Sequence, residues 1–159
     1  MIPPHIPPPI GAHIQIKGGL AKGGLPYADG RYGTAPLRSF PSADGAGHVA
    51  WRPHPNTGEE APVGFVLVAG LEADRRSVAA FWVAPPLRRS GLGTAMALAV
   101  LERHAGPWEI GFQHDNPSAG AFWRRVADSA FGPGGWIETE EAVPGRPGAP
   151  PDHFLRSLS

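Results

Sequence analysis

The chain has no cysteine among its 159 residues. That excludes disulfides, thiolate zinc sites and a cysteine nucleophile, and it is compatible with a cytoplasmic location, which is the expected one. Net charge is missing as well: 14 Lys and Arg stand against 14 Asp and Glu. Without a basic excess there is no electrostatic case for a nucleic-acid or membrane partner. No apolar run approaches the roughly 20 residues that span a bilayer. The N-terminus lacks the cationic start and apolar stretch of a secretory signal. A further absence is local. No acidic residue lies between Asp74 and Glu102, although a helix predicted from Thr94 would ordinarily gain from an acid in its first turn. That vacancy suits an anionic ligand.

What is abundant is glycine, 22 residues, and proline, 20 residues, unevenly spread. Residues 1–41 hold a proline-rich start and then paired glycines. They are expected to form an irregular or disordered segment, with His13–Ile16 as a short strand candidate. Residues 42–159 form the expected domain. His48–Arg52, Pro62–Ala69 and Ser77–Val83 alternate or run apolar and are separated by turn residues, which predicts an antiparallel meander. Apolar residues at Ala95, Leu98, Ala99, Leu101 and Ala105 follow helical spacing, and Gly106-Pro107 ends that helix. Trp108–Phe112 reads as a strand that completes a βαβ crossover, so it should run parallel to Ser77–Val83. Asp115-Asn116-Pro117 opens a second helix, from Ser118 to about Ala127. Trp136–Val143 and His153–Leu158 read as a final hairpin.

The stretch between the third strand and the first helix carries the chemistry. Pro85-Pro86 stops the strand, two arginines and the spaced glycines Gly91 and Gly93 follow, and a helix begins. Glycines let a backbone approach a ligand closely. The first helical turn offers free N–H groups and a partial positive charge. A dinucleotide site is disfavoured, because Met96 stands where its third small residue belongs.

In register, Val83, Pro85, Arg88, Gly91 and Gly93 match the acetyl-CoA loop of the GNAT family of N-acetyltransferases, and Asn116, Ala119, Phe122 and Trp123 match its following helix motif. The chain resembles that family, and within it a small bacterial branch. The resemblance implies an α+β (αβα-type) fold. It has a mixed central sheet, in which a meander precedes a βαβ unit with splayed parallel strands and a C-terminal hairpin. The N-terminal helices of the family are atypical or missing in this sequence. It implies acetyl-CoA as cosubstrate, no metal, and a small-molecule or peptide amine as acceptor; homodimers are common in the family. Backbone amides of Arg89, Ser90, Gly91, Leu92, Gly93 and Thr94 would hold the pyrophosphate, with charge from Arg88 or Arg89. Val83 would pair with the pantetheine arm, an amide near Trp82 would polarise the thioester carbonyl, and Asn116 would bond the coenzyme near its thiol.

Two departures matter. The family's proton-donating Tyr falls at Trp123, whose indole is a donor but not a useful acid. Its strand carboxylate falls near Ala80. His114 and Glu109 are the leading replacement catalytic candidates, ahead of Asp115 and Glu72. A degenerate coenzyme-A-binding module, acting as sensor or partner domain, is the alternative function. Trp123 and Phe122 read as core residues. The other histidines, His48, His104 and His153 among them, share no metal-ligand spacing.

Overall fold

The computed structural model describes residues 43–159. The irregular segment read over residues 1–41, its short strand and the question of N-terminal helices lie outside the described residues.

Strands β1 (Gly45–Pro53), β2 (Glu60–Ala69) and β3 (Arg76–Val83) form the meander. Helix α1 (Leu92–Arg103), strand β4 (Trp108–Gln113), helix α2 (Pro117–Phe131) and the hairpin β5 (Trp136–Glu141) and β6 (Asp152–Ser157) follow. The sheet order is β1-β2-β3-β4-β6-β5, with only β3 and β4 parallel. The mixed sheet with two helices is the fold read from the sequence.

Both helices pack on one face, over a core that includes Val66, Val68, Leu92, Met96, Val100, Trp108, Ile110, Trp123 and Val126. The alternate residues of the meander, Val49, Phe65, Leu67 and Ala80, form a second cluster with Trp51 and Trp82 packed against it. Helix α1 begins at Leu92, earlier than Thr94, because Leu92 is only 1% exposed and anchors the first turn in the core. Helix α2 runs past Ala127 to Phe131, which packs on the core, and it ends at Gly132 with φ +78°.

The parallel pair is short. Only Arg76↔Trp108 and Ser77↔Glu109 are in register. That end is stapled: the Arg76 amide donates to Pro107 O at 2.9 Å, and the Trp108 amide donates to the buried Ser157 Oγ at 2.8 Å. Just beyond it Ala79 is an extra residue in β3, since Leu67 pairs with Ala80 and Val68 with Val78. A bulge bends its strand and raises local twist, so β3 leaves β4 at this point and a wedge opens between them.

At the far edge of the meander, His48 Nε2 and His104 Nε2 lie 2.7 Å apart, and His48 is buried. Burial first, then His104 and Arg103, push the His48 imidazole down to about 4; His104 is lowered as well, again chiefly by burial. The unfolded chain then binds more protons than the folded one between pH 6.5 and 4. The sign is a stability that is full above about 6.5 and lost as the pH falls through that window. Urea unfolding at pH 7.5 and pH 4.5 should differ by about 2–3 kcal/mol; equal midpoints would show that the pair carries no such penalty.

Candidate functional site

β3 ends at Val83 because Pro85 and Pro86 cannot donate to a ladder; Pro85–Leu87 form one turn of 3-10 helix instead. Arg89 then adopts φ +61° and Gly91 φ +85°. These left-handed residues, with Ser90 between them, shape a concavity of main-chain amides, a geometry that suits an anion. Gly91 caps α1 without any side-chain hydrogen bond, and the first turn holds no acid. The amides of Arg89, Ser90, Gly91, Gly93 and Thr94 have no hydrogen-bond partner among the described residues. The Leu92 amide makes a long bond, 3.4 Å, to Ser90 Oγ, which itself donates to Leu87 O at 2.6 Å. Arg88 does not reach into this concavity: its Nε donates to Val83 O at 3.1 Å. Arg89 is exposed beside it.

Along the wedge, strand alternation decides which main-chain groups are free. The Ala84 amide donates to Val63 O at 2.8 Å, on the β2 side. Trp82, two residues earlier, therefore also turns its amide to β2, and Phe81 and Val83 turn theirs into the wedge. The Trp82 side chain stacks on Phe65 across the sheet, with centroids 5.9 Å apart. Phe81 packs on Phe122 and Trp123 of α2, at 5.3 and 5.1 Å. Trp123 is 6% exposed and belongs to the core, and Ala80 is 5% exposed.

Asn116 caps α2. Its Oδ1 accepts from the Ala119 amide at 3.1 Å and from Ser118 Oγ at 2.9 Å. The cap fixes which way the side-chain amide points, and leaves its NH₂ without a partner among the described residues. Asn116→Asp retains the cap and removes that donor, whereas Asn116→Ala removes both. The Asp variant should hold its unfolding midpoint within about 0.5 kcal/mol of the parent, and the Ala variant should lose about 1 kcal/mol. Thermal melts of the two variants check this.

His114 follows β4 and is exposed. It sits in the turn between Gln113, the last residue of β4, and Asn116, the cap of α2. Its Nδ1 lies 2.9 Å from His153 Nε2. His153 is buried, and its Nδ1 lies 2.8 Å from Glu138 Oε1. Arg124 grips Glu138 with two bonds of 2.7 Å. The three rings of Phe112, His153 and His114 stack in sequence, 5.1 and 5.2 Å between centroids. The Glu138 carboxyl is held below the usual range, first by the Arg124 hydrogen bonds and with help from His153.

Glu109 is placed differently. It accepts from Arg156 Nε at 2.5 Å, and Arg156 also donates to Thr139 and Glu141. Glu109 is thus committed to a cross-strand ion cluster. The acidic run Glu138, Glu140, Glu141 is not an open cation trap either, because Glu138 and Glu141 already hold Arg124 and Arg156. Glu72 lies in the β2–β3 turn, at the opposite end of β3 from Val83, and Asp115 is exposed in the turn before α2. The cluster around His114 was not visible as a motif, because its members come from β4, β6, β5 and α2. It follows from the register of β6, which sets His153 beside Phe112 of β4 and Glu140 of β5.

Among the described residues no group of three or more His, Cys, Asp or Glu is arranged to hold a metal ion, and no helix is long and apolar enough to cross a membrane.

A family model described as the acetyltransferase (GNAT) family matches residues 25–127. Solved structures share the fold at low identity. A spermidine N-acetyltransferase variant from Vibrio cholerae aligns with TM-score 0.55 at 10% identity, over 77% of this chain and 70% of that one. The ribosomal-protein-S18-alanine N-acetyltransferase from Escherichia coli aligns with TM-score 0.55 at 15% identity, over 80% and 77%. A Bacillus subtilis acetyltransferase in complex with CoA aligns with TM-score 0.50 at 13% identity, over 73% and 77%. No curated protein sequence matches the chain. A family match across more than half the chain, on a sheet that splays at a bulge beside an amide-lined glycine loop, makes this protein a member of the acetyltransferase (GNAT) family.

Proposed function

We propose that the protein transfers the acetyl group of acetyl-CoA to a primary amine by direct attack of the neutral amine on the thioester. The observation that carries this reading is the wedge. β3 pairs with β4 only at Arg76 and Ser77 and then leaves its outer edge free up to a loop of unpartnered amides. That combination fits an extended chain with a diphosphate at one end. An amide-containing arm adds along the open edge as a strand would, while the loop amides and the α1 dipole hold the diphosphate. The free amides of Phe81 and Val83, rather than that of Trp82, are the donors suited to polarise the thioester carbonyl. Val83 O accepts from Arg88 Nε and keeps a second lone pair for a pantetheine amide. The Asn116 NH₂ completes the coenzyme contacts.

His114 is the group that removes the proton from the acceptor ammonium. Glu109 is excluded from that role by its ion pairs with Arg156. Trp123 packs in the core and has no usable acid, so the thiolate leaves unprotonated or takes a proton from water. The acceptor is a small amine or a peptide amine. The alternative, a coenzyme-A-binding module without transfer, draws on two observations: Trp123 replaces the family's acid, and Ala80 its strand carboxylate.

Thiol release from acetyl-CoA, followed with a panel of polyamines, amino sugars and peptide N-termini, tests the reading. Amine-dependent release supports it. Tight binding of coenzyme A with no release for any amine would favour the module.

A further inference from the structure

The Glu138–His153–His114 array is more ordered than a surface histidine needs. Glu138 is ionised and gripped by Arg124, so it can only accept at His153 Nδ1. His153 must therefore carry its proton on Nδ1, which makes its Nε2 an acceptor. His114 Nδ1 must then be the donor across the 2.9 Å contact. That leaves the His114 Nε2 lone pair as the free end of the chain, on an exposed ring. Hydrogen-bond counting thus selects one tautomer of each histidine. The ring nitrogens point at one another and not at a common centre, which is the geometry of a proton relay and not of a metal site.

We propose that His153 and Glu138 are positioning residues that fix His114 as the Nδ1–H tautomer and so hold its Nε2 lone pair ready to accept a proton. The proposal rests on the reading of His114 as the base. In the step, an N–H bond of the acceptor ammonium breaks and an Nε2–H bond forms on His114. The new positive charge is shared through Nδ1–H with His153, whose own Nδ1–H faces the Glu138 carboxylate. No electrons change hands, and the proton returns to water from Nε2. The charged groups around the array are Glu138 and, 3.8 Å from His153 Nδ1, Glu140 on β5, together with Arg124 on α2; Asp115 adjoins His114 in sequence. Arg124 is itself paired with Glu138.

The test uses Glu138→Gln and His153→Phe, the second chosen because a flat ring preserves the stack between Phe112 and His114. Nitrogen-detected NMR of the imidazoles in the full chain should find His114 protonated on Nδ1 in the parent. In both variants it should revert to the ordinary mixture rich in Nε2–H. In Glu138→Gln kcat should fall about tenfold with KM for acetyl-CoA unchanged. An Nε2–H tautomer in the parent, or a tautomer that survives both substitutions, overturns the relay. A reverted tautomer with unaltered kcat overturns the base assignment and leaves the relay as a structural contact. The two failures are therefore distinguishable.

Discussion

Replacing Gly91 by Asp should weaken coenzyme A binding by about a hundredfold, measured by calorimetry. A carboxylate introduced there lies within a few ångströms of a diphosphate held by the loop amides, and such like-charge contacts near a surface cost about 2–3 kcal/mol after screening. Gly91→Asn separates this from damage to the fold. Gly91 has φ +85°, which Asn tolerates better than most residues, and an added Cβ there meets nothing within 4 Å. The Asn variant should keep its unfolding midpoint within about 1 kcal/mol and lose binding by less than about tenfold. Equal losses for Asp and Asn would mean that backbone conformation, and not charge, governs the effect.

The second large effect is catalytic. His114→Ala should lower kcat by about two to three orders of magnitude, the usual contribution of general base catalysis, with the affinity for coenzyme A unchanged. Glu109→Gln is the contrasting variant. It removes a cross-strand ion pair to Arg156, both partners being partly exposed, so it should cost about 0.5–1 kcal/mol of stability and leave kcat within about twofold. Steady-state kinetics with a saturating amine check both. A silent His114→Ala beside a defective Glu109→Gln would reverse the assignment.

The parts of the site that depend on neighbouring residues alone are legible in the amino-acid order. Val83, the prolines, Gly91 and Gly93 specify a strand end, a turn and a helix start within a dozen residues, and local chemistry decides that geometry. The order of strands and helices from Trp51 to Ser157 follows from periodicity and breakers. Three features are not legible in that way. The start of α1 at Leu92 depends on burial of that side chain beneath the loop, which no local signal reports. The direction of the Trp82 amide depends on the register with β2, and that register contains a bulge at Ala79. The relay depends on the antiparallel hairpin inserting β6 next to β4. It brings together residues as distant in sequence as His114 and His153, and Arg124 reaches Glu138 from a helix. Glu109 is a further case of a non-local partner. Beside the cleft in sequence, it looks free, yet its cross-strand neighbour is Arg156.

Residue-resolved amide hydrogen exchange, with and without coenzyme A, bears most directly on the wedge and its loop as the coenzyme site. Exchange should slow at Arg89 through Thr94 and at Phe81 and Val83, with Trp82, already bonded to β2, unaltered. Protection confined to other segments, or none at saturating coenzyme A, would contradict that assignment.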